Sequence, residues 1–225
     1  MTNRYILYSD QGSGGVAVEA ALTLMGQPYD LVEAPTSEPQ DTAGGDRVLA
    51  ANPMRQVPAL VLPSSGGGLG EVMTESAAIL IRLGELHPQA GLVPGAEDPR
   101  RSQFLRWMSF VSAAIYSLYW VKDDPARLVP DPAAQPALVA RTLDRISECW
   151  GIMERQVAPS RYILGDELTV LDLYVTVVSR FRPRRQPRVV VHAAHHLAQA
   201  RRHLVEALAA FWPDRFPFYA GWDRS

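Results

Sequence analysis

The chain has 225 residues, of which 47% are hydrophobic and 20% charged, and its net charge is −2. These values are ordinary for a globular protein with a buried core, and the nearly balanced charge gives no overall attraction to nucleic acid or to anionic membranes. The single cysteine, Cys149, excludes an intramolecular disulfide and suits a reducing compartment.

The two halves of the sequence differ in charge. Residues 1–97 carry 4 basic and 11 acidic residues, whereas residues 98–225 carry 18 basic and 13 acidic residues. This asymmetry favours two domains. The N-terminus lacks the basic and apolar regions of a signal peptide, and no run of about 18 apolar residues could span a membrane. We therefore expect a cytoplasmic protein with no membrane partner.

The first 86 residues predict a small α/β domain with the element order βαβ-α-ββα. We predict strands at 5–8, 28–32, 59–62 and 69–73, and helices at 16–25, 47–51 and 75–86. A strand, a helix and a second strand within about 33 residues are typical of a parallel βαβ unit. The short glycine-rich turn between the last two strands predicts an antiparallel pair.

The second part of the sequence predicts helices alone. Residues 87–98 are rich in proline and glycine, which is typical of a linker. The predicted helices that follow are 99–122, 134–157, 169–181 and 190–211. We therefore predict an all-helical domain over residues 99–225.

Two dipeptides in the first domain indicate a binding site. Pro58 stands at the entry to a strand, and because proline has no N–H it cannot join a central ladder there. The Val57–Pro58 step is a candidate for a cis bond that turns a free backbone edge outward. Glu75 and Ser76 open a helix, where unpaired backbone N–H groups attract carboxylates. Taken singly, each pair is also typical of an ordinary strand entry or helix cap.

Three segments together resemble a known family, the cytosolic glutathione transferases. They are Asn52-Pro53 with Val57-Pro58-Ala59-Leu60, Thr74-Glu75-Ser76 with Ile79, and Gly165-Asp166 with Leu168-Thr169 and Asp172. The resemblance covers nearly the whole chain and is nearest to bacterial, beta-like members. It implies a thioredoxin-like domain over 1–86, a linker over 87–98, an all-helical domain over 99–225 and a homodimer. The implied activity is conjugation of the glutathione thiolate to a hydrophobic electrophile.

The resemblance also implies how glutathione, as co-substrate, is held. Val57 pairs with the cysteinyl backbone of glutathione by strand addition, flanked by Gln56 and Pro58. The Ser76 hydroxyl and the helix-start N–H groups bind the γ-glutamyl carboxylate, and Glu75 binds the γ-glutamyl ammonium.

Activation of the thiol requires a donor that stabilises the thiolate, since a free thiol has a pKa near about 8.5. A hydroxyl at a helix N-terminus supplies such a donor. In the loop after the first strand, Ser13 is our first candidate and Ser9 our second, because Gly14 stands where beta-class relatives carry a cysteine. Tyr116 lies near the position of a histidine that faces the thiol in those relatives. The alternatives are that Ser13 only caps the helix and that Tyr116 is a core aromatic.

Other features of the second domain have structural interpretations. Thr169 and Asp172 have the spacing of a capping box, Tyr119 and Trp120 suit an apolar electrophile pocket, and the aromatic tail at 211–219 is predicted to pack back over the helical domain, near the cleft. The arginines at 182–188 are interpreted as a solvated turn rather than a nucleic-acid site. We expect no metal at the histidines that follow, which are His192, His195, His196 and His203.

Two alternative functions remain open at the level of sequence. One is a non-catalytic, transferase-like binding protein. The other is a glutathione-dependent lyase, isomerase or reductase on the same scaffold, although the missing loop cysteine argues against thiol exchange through an enzyme cysteine.

Overall fold

A four-stranded mixed sheet forms the centre of the first domain. The computed structural model describes residues 4–36, 42–64, 70–158, 160–181 and 204–218. Its strands are β1 (Tyr5–Ser9), β2 (Tyr29–Glu33), β3 (Ala59–Val61) and β4 (Val72–Thr74), in the spatial order β2-β1-β3-β4. β1 and β2 are parallel, and β3 is antiparallel to both of its neighbours. Both the predicted βαβ unit and the predicted antiparallel pair are confirmed.

Helices cover the sheet and make up every long element described after it. In the first domain they are α1 (Gly15–Leu24), α2 (Thr42–Val48) and α3 (Ser76–Leu86). The later helices are α4 (Arg101–Phe110), α5 (Ser117–Asp123), α6 (Gln135–Gln156), α7 (Val170–Val178) and α8 (Trp212–Arg215). Short 3₁₀ turns lie at Pro88–Ala90 and Pro125–Arg127. None of the helices described is both long and apolar enough to cross a bilayer.

Two predicted helices differ from those observed. The helix predicted at 47–51 lies instead at Thr42–Val48, because Asn52 organises a turn after it: its side chain accepts from the Met54 N–H and donates to the Gln56 carbonyl. The helix predicted at 99–122 is interrupted by a π-helical segment at Val111–Tyr116. Most of the helix predicted at 190–211, the arginine-rich turn and the four histidines lie outside the described residues.

One hydrophobic core runs through both parts of the chain. It joins Leu22 of α1 and Leu80 of α3 to Leu173 of α7, each of which is fully buried. At the start of α7 the capping box is present as predicted: Asp172 accepts from the backbone N–H and the hydroxyl of Thr169, both at 2.9 Å. Asp172 also accepts from the Ile163 N–H at 2.8 Å, so the buried carboxylate fixes the preceding turn.

Candidate functional site

Three segments that are distant in sequence meet at one end of the sheet. Tyr8 pairs with Ala59 across β1 and β3, and Ala59 pairs with Thr74 across β3 and β4. The loop that follows β1, the residues that precede β3 and the residues that follow β4 therefore leave the sheet side by side. These are the segments that carry Ser13, Val57–Pro58 and Glu75–Ser76.

The segment before β3 presents an unpaired backbone edge. The Val57–Pro58 bond is cis, as predicted, with Pro58 buried and Val57 half-buried. Neither backbone polar group of Val57 is hydrogen-bonded within the described part of the chain. The preceding residue, Gln56, is fixed by a hydrogen bond, because its carbonyl accepts from the Asn52 side chain at 2.8 Å. The arrangement suits pairing with an extended backbone.

The segment after β4 places an acid and a hydroxyl at the start of α3. Glu75 has a φ of 65°, which is unusual for a residue other than glycine and is often found at functional sites. Glu75 is exposed, and its carboxylate forms no ion pair with the described residues. Ser76, the first residue of α3, is buried. The pair thus offers an anion beside a helix N-terminus.

Tyr174 of α7 lies beside this pair, and no role was predicted for it from the sequence. It is fully buried, and its hydroxyl lies near Ser76 and Ser112 but forms no hydrogen bond within the described part of the chain. Burial raises its pKa to about 12, so the hydroxyl keeps its proton at neutral pH. The sequence gives no signal for this contact, because an aromatic residue within an apolar helix indicates only core packing.

The loop after β1 holds the Ser13 hydroxyl at the entrance to α1. Ser13 Oγ accepts from the backbone N–H of Gly15 at 3.1 Å and of Asp10 at 3.3 Å. Since a hydroxyl has one donor and two acceptor sites, its proton is left for another partner. Ser13 is partly buried, so this partner can come from the cleft.

Tyr116 places a second hydroxyl against the same loop. A methyl group on Gly14 would lie 2.3 Å from the Tyr116 hydroxyl oxygen, well inside van der Waals contact. Burial raises the pKa of Tyr116 well above its usual value, and a hydrogen bond from the Gly14 backbone offsets only part of this rise. The phenol therefore stays protonated and occupies the space that a side chain at position 14 would need. Tyr116 ends the π-helical segment, a form that is frequent at functional sites.

Ser9 lies beneath the loop rather than on its surface. It is fully buried, and its hydroxyl donates to Glu19 Oε1 at 2.6 Å. Because its proton is already donated to Glu19, Ser9 is a poor donor to a thiol. Ser13 and Tyr116 are the remaining candidate donors.

Aromatic rings gather around Phe181, just after the end of α7. The Phe181 ring centroid lies 5.0 Å from that of Tyr116, 5.2 Å from that of Tyr119 and 6.5 Å from that of Phe216. Trp120, which we expected in this patch, instead lies under the guanidinium of Arg127, 4.7 Å from the ring centroid. The reason is helical spacing, since Trp120 follows the buried Tyr119 and points from another face of α5.

Comparison with known proteins shows which proteins this chain is similar to. Residues 7–91 match the family model of the glutathione S-transferase N-terminal domain. The uncharacterized GST-like protein YncG of Escherichia coli K12 is 27% identical over 177 residues, which are 79% of this chain and 82% of YncG. Both likenesses are to glutathione S-transferases.

Solved structures show that the whole architecture is a glutathione S-transferase fold. A glutathione transferase homologue from Sulfitobacter, solved with bound glutathione, has a TM-score of 0.76 at 22% identity, over 93% of this chain and 98% of that chain. A sphingomonad glutathione S-transferase complexed with glutathione has a TM-score of 0.68 at 22% identity, over 92% and 98%. These likenesses confirm the predicted thioredoxin-like domain followed by an all-helical domain.

The described residues hold no cluster of three or more histidine, cysteine or acidic side chains suited to a metal ion. The polar groups at this end of the sheet are hydroxyls, backbone amides and the Glu75 carboxylate.

Proposed function

We propose that the protein binds glutathione and conjugates its thiolate to a small hydrophobic electrophile. The observation that carries this proposal is the register of β1, β3 and β4. It brings an unpaired backbone edge, an acid–hydroxyl pair at a helix start and a hydroxyl-bearing loop to one end of the sheet. The family-model match over residues 7–91 and the glutathione-bound structural neighbours support the same ligand.

Each part of glutathione has a chemical partner in this proposal. The Val57 backbone pairs with the cysteinyl residue, with Gln56 and Pro58 on either side. Ser76 and the first N–H groups of α3 bind the γ-glutamyl carboxylate, and Glu75 binds the ammonium group. The buried Tyr174 lies near Ser76 and keeps this side of the site apolar.

Thiolate stabilisation falls to the hydroxyls of Ser13 and Tyr116. Ser13 Oγ already accepts two backbone bonds, and Tyr116 stays protonated, so each hydroxyl has a proton to donate to sulfur. A hydrogen bond to a charged group contributes about 1.5–3 kcal/mol. Two such bonds are enough to bring a thiol pKa near about 8.5 down to neutrality. The rings of Phe181 and Phe216 give the electrophile an apolar wall.

Calorimetric titration with glutathione tests the binding step, and turnover of an aryl halide tests the chemistry. We expect Ser13→Ala and Tyr116→Phe each to lower kcat about ten- to a hundredfold while the Kd of glutathione changes less than about threefold. Tyr5→Phe is the matched control, because its hydroxyl bonds His87 at the opposite end of β1.

The outcomes separate this function from its alternatives. Failure to bind glutathione overturns the proposal. Binding without turnover by the wild type assigns the protein as a glutathione-binding module. Normal turnover by both hydroxyl variants removes Ser13 and Tyr116 from the mechanism.

We further propose that the protein acts as a homodimer in the cytoplasm, with domains divided at residues 86 and 99. Exposed apolar side chains beside α2, Leu49 at 41% and Met54 at 66% exposure, are consistent with a partner surface on the first domain. Light scattering of the purified protein measures its mass, and a monomer would contradict the dimer.

A further inference from the structure

The C-terminal segment, residues 204–218, reaches back to the loop that follows β1. The Gly12 N–H donates to the Arg215 carbonyl at 3.1 Å. The Phe216 ring stacks over the same glycine, 3.6 Å from where a methyl group on it would lie. The loop that carries Ser13 is therefore bonded at its centre to a segment about 200 residues away in sequence.

The Arg215 side chain makes a second connection beneath this loop. Its guanidinium binds both oxygens of Glu19, with Nε at 2.5 Å and Nη2 at 3.0 Å. Its third nitrogen, Nη1, donates to Glu33 at the end of β2, also at 2.5 Å. The geometry is bidentate, the strongest form of an arginine–carboxylate pair.

Glu19 links Arg215 to Ser9, which lies at the start of the loop. It is fully buried in α1 and accepts the Ser9 hydroxyl at 2.6 Å. The start, the centre and the helical end of the loop are therefore all tied to Arg215, directly or through Glu19. Ser13 lies between these fixed points.

The burial of Glu19 makes Arg215 necessary to the arrangement. A carboxylate removed from water needs a paired charge, and removal of one partner of a buried pair leaves an uncompensated charge. The bonds within the loop join only residues close in sequence, and a glycine-rich loop opens easily unless a distant segment also holds it. The segment supplies both the charge and the backbone bond.

We propose that Arg215 is a positioning residue for the thiol-activating loop. Its bonds to Glu19 and Gly12 fix residues 9–15 so that the Ser13 hydroxyl faces the sulfur of glutathione. This inference rests on the proposed function, because the geometry matters to catalysis only if a thiol binds there.

Hydrogen exchange of the ligand-free protein tests the connection without any reaction. We expect Arg215→Met to speed amide exchange in residues 10–15 at least about tenfold, while amides of α7 keep their protection. Arg101→Met is the matched control, because Arg101 also bridges a carboxylate, Glu85, and a carbonyl, Pro94, but away from the loop. The double variant Glu19→Gln/Arg215→Met avoids an unpaired buried charge and serves if the single variant does not fold.

Kinetics then test the effect on the thiol. In the double variant we expect kcat for aryl halide conjugation to fall about tenfold, and the pH profile of kcat/KM to shift to higher pH, with the Kd of glutathione within about threefold of wild type. Arg215→Lys, which keeps the charge but not the bidentate geometry, restores part of the rate.

The results distinguish this inference from the proposed function. Loop exchange equal to that of the Arg101→Met control, in a protein that binds glutathione, overturns the positioning role. So does faster exchange with an unchanged pH profile. If the wild type does not bind glutathione, the proposed function fails, and the exchange result alone then decides whether Arg215 holds the loop.

Discussion

A tyrosine from the helical domain fills the space beside Gly14 in the loop after β1. The Tyr116 hydroxyl oxygen lies 2.3 Å from where the first carbon of a side chain at position 14 would be. The glycine and the tyrosine therefore depend on each other. Sequence reasoning placed both residues near the thiol, but it had no means of showing that they touch, because 102 positions separate them.

The contact between Gly14 and Tyr116 predicts a coupled effect on stability. Gly14→Ala forces its methyl group against the packed phenol, and we expect a loss of about 1–3 kcal/mol in the free energy of unfolding. In a Tyr116→Leu background, where the shorter side chain leaves room, the same change costs less than about 1 kcal/mol. Chemical denaturation of the four proteins measures the coupling.

Gly95→Ala is the control for this cycle, because no atom lies within 4 Å of its added methyl group. An equal cost of Gly14→Ala in both backgrounds would show that Tyr116 does not occupy this space.

At the scale of elements, sequence patterns correctly predicted the features that depend on interactions between residues close in sequence. The capping box at Thr169 and Asp172 follows from spacing alone, since the helix start itself supplies the donors. The end of α2 could not be predicted from spacing, because it depends on the side-chain hydrogen bonds of Asn52 to residues after the helix. The π-helical segment at 111–116 was also missed, because an amphipathic pattern does not distinguish a π turn from an α turn.

Substitution of Asp172 is expected to lower the stability of the protein without changing its affinity for glutathione. Asp172→Ala leaves the buried N–H groups of Ile163 and Thr169 without their acceptor. We expect the free energy of unfolding to fall by about 2–4 kcal/mol. Thermal melting measures this loss, and calorimetry on the folded fraction should give near-normal affinity for glutathione. A stable variant that fails to bind glutathione would contradict this assignment.

The bond between Tyr5 and His87 predicts a pH dependence of stability. The two side chains lie 2.7 Å apart and join β1 to the end of α3. Partial burial lowers the pKa of His87, so the unfolded chain binds a proton more readily than the folded protein does. The contribution of this group is therefore complete above about pH 6.5, its unfolded value, and is lost as the pH falls through the folded value.

Unfolding of the wild type and of His87→Gln, each measured from about pH 7.5 to about pH 5, tests this sign. We expect the wild type to lose more stability on acidification than the variant. Parallel curves would show that His87 does not titrate differently in the folded state.

At the scale of the whole molecule, the proposed site draws on both domains, although the motifs that predicted it lie in one. The first domain supplies Val57, Glu75, Ser76 and Ser13 to this proposal, and motif reasoning predicted all four. The helical part supplies Tyr116, Tyr174 and Phe181, and the C-terminal segment supplies Arg215 and Phe216. Of these, only Tyr116 was named as a site residue from the sequence, because the others act through tertiary contacts that leave no periodic or motif signal.

The shared core predicts that the two domains unfold together. Helix α7 packs against α1 and α3, and buried residues of both domains form one continuous cluster. All five tryptophans lie after residue 99, so their fluorescence reports on the second domain alone. We expect Leu22→Ala, a cavity in α1 of the first domain, to lower the stability measured by tryptophan fluorescence by about 2–5 kcal/mol.

The same loss should be measured by hydrogen exchange of the α1 amides, because a cooperative unit has one unfolding free energy for all of its probes. Unfolding by denaturant at a fixed protein concentration, followed by both probes, makes the comparison. A tryptophan transition unmoved by Leu22→Ala, with the α1 transition shifted, would show two independent units. In that case the loop after β1, which residues of the second domain hold, would lose their support whenever either unit unfolded. Coincident transitions would instead show that the loop and its supports stay together until the whole protein unfolds.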